Sequence, residues 1–127
     1  MIILDANVLI GFLDGDDPHH AASVDLLERH YVDGFGSSVL TVAEALVHPT
    51  RAGRQGSVMA ALDSIGVRVI VLEPADAAPL ARVRSTYRLR MPDAVALYTA
   101  MTTGSRLASF DATVVAAAGS AGIALAE

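Results

Sequence analysis

Apolar and polar positions fall into two kinds of stretch along this chain. Short runs rich in β-branched residues read as strands, and the longer Ala/Leu-rich stretches between them read as helices. That succession marks βα units on a parallel sheet. Met1–Leu4 is the first apolar run, and Ala6–Leu13 continues as a short helix. In the turn Gly15-Asp16-Asp17-Pro18, Asp17 suits an N-cap and Pro18 the first helical position. The helix that follows is expected to run to about Tyr31, with Ala22, Leu26, Leu27 and Tyr31 near one face. Gly34–Ser38 reads as a short strand leading into a helix over Leu40–Val47, which Pro49 is expected to end. A helix from about Arg54 to Ile65 stops at Gly66, and Val67–Leu72 reads as the clearest buried strand. Ala75–Tyr87 and Pro92–Met101 read as helices, Leu107–Phe110 as a strand, Ala112–Ala118 as a helix and Ile123–Leu125 as a last short strand. These elements predict an α/β fold in a single domain over residues 1–127, with a central parallel sheet of about four or five strands flanked by helices.

Composition narrows the chemistry. With 53% hydrophobic and 18% charged residues the chain reads as globular. Aromatic residues are only 5% and Trp is absent, so base-stacking platforms do not dominate any binding of nucleic acid. Cysteine is absent, which excludes disulfides, thiolate zinc sites and thiol nucleophiles. All nine basic residues are arginine. A P-loop clamp, a Schiff base, or a phospho-acceptor Asp paired with Lys each needs an amine this chain lacks. Phosphate chemistry here is left to metal, backbone amides or arginine. The net charge of −5 looks unfavourable for binding nucleic acid, but two divalent ions held by four carboxylates would nearly cancel it. The apolar start reaches Asp5 without a basic segment, unlike a signal peptide, and the uncharged run Ala112–Ala126 is shorter than the ~20 residues of a membrane span. A cytoplasmic protein is expected.

Four carboxylates stand out. Asp5 ends the first strand in Ile2-Ile3-Leu4-Asp5-Ala6-Asn7, and Asp111 ends another in Leu107-Ala108-Ser109-Phe110-Asp111. Ligands of open α/β sheets bind at the carboxyl ends of strands, although Asp at these places also serves as a helix cap. Asp93, in Met91-Pro92-Asp93-Ala94-Val95, opens a helix that is apolar nearly all round and so packed on several sides. A first-turn acid there is favourable with the helix dipole and is also placed to face a cleft. Glu44 lies inside Leu40-Thr41-Val42-Ala43-Glu44-Ala45-Leu46-Val47, with either a solvated helix face or a partnered site open to it. An oxygen-only donor set suits Mg²⁺ or Mn²⁺ rather than zinc. Two such ions would stabilise both oxygens of a phosphodiester hydrolysis.

The sequence resembles PIN-domain nucleases, in particular the VapC-type toxins of bacterial toxin–antitoxin pairs. The likeness runs over essentially the whole chain. It is carried by Leu4-Asp5-Ala6-Asn7-Val8-Leu9-Ile10, Ser38-x-x-Thr41-x-x-Glu44, Pro92-Asp93-Ala94 and Ala108-Ser109-Phe110-Asp111. It implies a single PIN-like domain acting as a Mg²⁺-dependent endoribonuclease (Mn²⁺ as an alternative ion), with Asp5, Glu44, Asp93 and Asp111 as metal ligands and catalytic residues. It further implies an RNA substrate, a homodimer and a cognate antitoxin that blocks the site. Relatives often carry Thr at the place of Ser109, which keeps the hydroxyl. Many carry a further acid at the place of Val114, so its absence here makes a second ion conditional on substrate.

Supporting residues are expected around these acids. Asn7, Ser38 and Ser109 are placed to hold carboxylates or metal-bound water, with capping as their alternative. His48 reads as a helix-end histidine, and His19 and His20 as solvated. Arginines gather at Arg82, Arg84, Arg88 and Arg90, just before Asp93, with Arg51 and Arg54 near the end of the Glu44 helix. Of these, Arg51, Arg54, Arg84, Arg88 and Arg90 are candidates for contact with RNA phosphates or an antitoxin, and an exposed helix face is the alternative. The residues alone leave open another metal-dependent phosphoesterase, a DNA nuclease, or a catalytically silent interaction domain.

Overall fold

The computed structural model describes residues 1–127. Four parallel strands form one sheet: β1 (Ile2–Leu4), β2 (Phe35–Ser38), β3 (Val67–Ile70) and β4 (Arg106–Ala108). Seven α-helices connect and flank them: α1 (Ala6–Leu13), α2 (His20–Arg29), α3 (Val39–Arg51), α4 (Gln55–Ser64), α5 (Ala77–Tyr87), α6 (Met91–Thr103) and α7 (Ala112–Ser120). The α/β class and single sheet are as the pattern predicts.

The strand order is β3-β2-β1-β4. The chain builds outward from β1 through β2 to β3, then returns to lay β4 on the other side of β1. Ile2, Ile3 and Leu4 pair in register with Arg106, Leu107 and Ala108. The order therefore switches direction beside β1, and a crevice opens at the carboxyl ends of β1 and β4.

Alternation along β1 divides the core. Ile3 and Leu107 face one layer with Leu97, Val95 and Val114, while Ile2, Leu4 and Ala108 face the other with Leu9, Leu26, Phe35 and Leu62. Helix α6 is buried from Asp93 to Ala100 on every side, as its all-round apolar sequence predicts. It starts with Pro92 in the first turn and ends on Gly104 in the left-handed region, φ +62°.

Several expected boundaries are corrected. Pro49 does not end α3; it is buried inside the helix, which runs on to Arg51. A proline this close to the end forfeits one backbone bond, and the final turn closes through Ala52 N–H on the His48 and Pro49 carbonyls. Helix α2 begins at His20 rather than Pro18, because Asp17 Oδ1 takes the His19 N–H at 2.8 Å in a turn of its own. It ends at Arg29, with Tyr31 in a 3₁₀ turn and largely exposed, and Ala22 exposed where Ser23 is buried. The run Val67–Leu72 is not the best-buried strand. Only Val67–Ile70 pairs, at the sheet edge, with Arg68 and Val69 exposed. Ile123–Leu125 contributes an isolated bridge between Leu125 and Leu107 rather than a fifth strand.

Candidate active site

Asp5, Glu44, Asp93 and Asp111 arrive from four different elements and line one cavity of about 210 Å³, together with Asn7 and Arg90. Asp5 and Asp93 are buried, Asp111 is half-buried and Glu44 is exposed at the rim. Glu44 therefore satisfies both readings open in the sequence: its helix face is solvated and it borders the cavity.

Local structure explains why each acid is where it is. Asp5 caps α1, its Oδ1 accepting the Ala6 N–H at 2.8 Å. Asp111 caps α7 by accepting from Thr113 N at 2.8 Å. Capping and site roles coincide in these residues: Asp5 directly follows β1, and Asp111 lies three residues beyond β4, which ends at Ala108 rather than at the expected Phe110. Asp93 sits in the first turn of α6, where the helix dipole favours negative charge.

Asn7 and Ser109 lock the crevice. Ser109 Oγ donates to Asp5 Oδ2 at 2.7 Å and accepts from Asp111 N at 3.1 Å. Asn7 Nδ2 donates to Asp5 Oδ2 and to Ser109 Oγ, each at 3.2 Å, while its Oδ1 accepts from Phe110 N at 3.0 Å. Ser38 is elsewhere: its Oγ caps α3 by accepting from Leu40 N at 3.2 Å, so it positions Glu44 only through the helix. The neighbouring Ser37 ties β2 to β1, donating to the Leu4 carbonyl at 2.6 Å.

Burial pushes the Asp5 carboxyl above its ordinary value. The Ser109 and Ala6 hydrogen bonds pull it back, while the nearby charges of Asp93 and Asp111 push it up further. Asp5, Asp93 and Asp111 line the same cavity, so their charges bear on one another.

The arginines separate. Arg90 forks onto Asp93, Nε to Oδ2 at 3.1 Å and Nη2 to Oδ1 at 3.4 Å. Sequence reading assigned Arg90 to an external contact and missed this pair, which the i,i+3 spacing to Asp93 signals. Arg54 lines an adjoining pocket with Glu44 and His48. Arg88 leaves the helix as the left-handed C-cap of α5 and lines a pocket with Thr113. Arg51 is exposed and, like Arg84 and Arg88, does not line the acidic cavity. His19 and His20 are also not simply solvated. The His19 ring stacks on Phe110 at 4.6 Å, and His20 Nδ1 lies 2.8 Å from the Gly11 carbonyl.

The donor chemistry fits a hard divalent ion. No three Asp, Glu or His side chains are gathered into a finished metal cage. Mg²⁺ does not need one: it takes one or two carboxylates and keeps several waters, so an open, acid-lined cavity suits it. Val114 is fully buried in the core, so an acid at that position would not extend the cavity without repacking.

Known proteins agree with this architecture. A family model described as PIN domain matches residues 2–119. The structure is similar to a toxin–antitoxin complex from Klebsiella pneumoniae, at TM-score 0.73 and 22% identity over 87% of each chain. It is similar to VapC20 of Mycobacterium tuberculosis, described as a sarcin–ricin loop cleaving toxin, at TM-score 0.69 and 16% identity over 92% of this chain and 95% of that one. FitAcB from Neisseria gonorrhoeae aligns at TM-score 0.75 and 20% identity, over 100% of this chain and 97% of the other. No curated protein sequence matches. With nearly its whole length covered by the family model, the chain belongs to the PIN-domain family.

Proposed function

We propose that this protein is a Mg²⁺-dependent endoribonuclease, with Mn²⁺ as an alternative ion, serving as the toxin of a toxin–antitoxin pair. The observation that carries the reading is the convergence of Asp5, Glu44, Asp93 and Asp111 on one cavity at the switch point of the sheet. Caps alone give no reason for four acids from four elements to share a cleft.

Asp5 and Asp93, both buried, would hold the ion, Asp5 oriented by Ser109 and Asn7; Asp111 and Glu44 would complete the acidic wall toward solvent. A divalent ion bound there would supply Lewis acidity at the phosphate and activate water. Asn7 and Ser109 keep Asp5 aimed into the cavity, and Glu44 at the rim orients the attacking water. Glu44 also lines two further pockets, one with Arg54 and one with Leu40 and Met91, which offer room for an extended single strand beside the cavity. Arg54 is then a phosphate contact, while Arg51, Arg84 and Arg88 are left for the antitoxin or for solvent. A cognate antitoxin, homodimer formation and a cytoplasmic setting belong to the same reading. The toxin–antitoxin descriptions of similar structures support the antitoxin.

Substrate class is tested by incubating the protein and Mg²⁺ with single-stranded RNA, single-stranded DNA and a small phosphomonoester. Cleavage of RNA at internal positions is expected. Turnover of DNA or the phosphomonoester with RNA left intact would overturn the assignment.

A further inference from the structure

Arg90 is the only cationic side chain among the residues lining the acidic cavity. Its relation to Asp93 is lopsided: the Arg90 side chain is 75% exposed, and the Asp93 side chain it grips is 8% exposed. The two partners therefore stand in different dielectric surroundings. A buried carboxylate without a counter-charge is strongly disfavoured, whereas an exposed guanidinium loses little by letting go. Asp111 and Glu44 also bear on Arg90, and all three acids hold it firmly charged. Arg90 is the N-cap residue of α6 through its backbone, its carbonyl accepting from Ala94 N at 3.0 Å, while its side chain makes no cap hydrogen bond. Its contact with Asp93 is thus made to the acid and not to the helix.

We propose that Arg90 is an exchangeable counter-cation of the acidic cavity, which neutralises Asp93 until a divalent ion takes its place and is then free to grip an RNA phosphate. The proposal rests on the metal-nuclease reading and adds a mechanism to it. Arg90 and a divalent ion compete for Asp93 and repel each other, so they do not occupy it together. Displacement frees a planar donor fork beside the carboxylates, a geometry matched to phosphate oxygens. One side chain then has opposite effects on two ligands: it weakens metal binding and strengthens RNA binding. A residue that only stabilised the fold would move both in the same direction.

The test uses the metal-free full chain, wild type, Arg90→Gln and Arg90→Lys, with melting temperatures recorded for all three. Calorimetric titration with Mn²⁺ should give about fivefold tighter binding in Arg90→Gln than in wild type, with Arg90→Lys near wild type because the charge is kept. Binding of a short oligouridylate in Ca²⁺ should weaken in Arg90→Gln, and its dependence on log salt should flatten by about 0.7. Unchanged or weaker Mn²⁺ binding in Arg90→Gln would overturn the proposal while leaving the metal reading intact. Failure of every form to bind Mn²⁺ would overturn both.

Discussion

Ser109 Oγ donates a 2.7 Å hydrogen bond to Asp5 Oδ2, joining residues 104 positions apart in the chain. The bond spans the carboxyl ends of β4 and β1, the two strands that flank the switch in sheet order. It lowers the Asp5 pKa against the burial that raises it. Ser109→Ala should therefore move the acid limb of the pH–activity profile to higher pH, because Asp5 must ionise to bind a cation. Loss of such a supporting hydrogen bond typically costs ~10–100-fold in metal affinity or activity. Ser109→Thr, which keeps the hydroxyl, should restore both. An unshifted acid limb in Ser109→Ala would contradict the role.

Asp5 itself makes stability and function pull apart. Its folded-state pKa lies above the ordinary 3.8, so between that value and the raised one the native state binds more protons than the unfolded chain. Stability from this residue is greatest below pH 3.8 and declines as pH rises through the window, leaving an unfavourable buried charge at neutral pH. Asp5→Asn retains an N-cap acceptor. Metal-free Asp5→Asn should lose that part of the pH dependence of melting, at the cost of one acceptor, since Asp5 accepts from Ala6 on one oxygen and from Ser109 and Asn7 on the other. Mn²⁺ at about a hundredfold over Kd should stabilise wild type by about 2.7 kcal/mol and the variant much less.

Packing of α1 on α2 depends on a missing side chain. A Cβ at Gly11 would run into Ser23 Oγ and stand 3.1 Å from the His19 carbonyl oxygen. Gly11→Ala should cost about 1–3 kcal/mol by overpacking. Ser23 Oγ is buried and makes no hydrogen bond, so Ser23→Ala alone should cost little. Adding it to Gly11→Ala should recover part of the loss, the His19 contact accounting for the remainder. Chemical denaturation of the four proteins measures the coupling.

Arg88 occupies the left-handed region at φ 53°, the one non-glycine residue of the chain to do so. That conformation costs an L-residue roughly 1–2 kcal/mol, which glycine avoids. Arg88→Gly should raise stability by about 1 kcal/mol. RNA cleavage should be unchanged, because Arg88 lies beside Thr113 and not among the cavity residues. A loss of cleavage would return Arg88 to the RNA path.

The acids were legible because a carboxylate that follows an apolar run and opens a helix carries a local signature, as Asp5 and Asp111 do, although β4 stops at Ala108 and leaves Asp111 three residues beyond it. The buried helix α6 was legible from its unbroken apolar sequence. Burial of β3 was not, because Val67–Leu72 reads the same whether it lies at the centre or the edge of a sheet, and only strand order decides. The end of α3 was misread because the local rule against proline does not register that Pro49 is buried in the packed last turn. Ser38 and Ser109 look alike in sequence, each a hydroxyl near a strand end. Only the pairing of β4 with β1 brings Ser109 to Asp5, while Ser38 turns back to cap its own helix.

The account stands most directly on cleavage of RNA by purified protein in three arms: with Mg²⁺, with excess EDTA, and with Mg²⁺ and Asp93→Asn. The buried Asp93 carboxylate is central to the proposed site, so strong cleavage is expected in the first arm and near-complete loss in the other two. Equal cleavage by wild type and Asp93→Asn, or cleavage that survives EDTA, would contradict it.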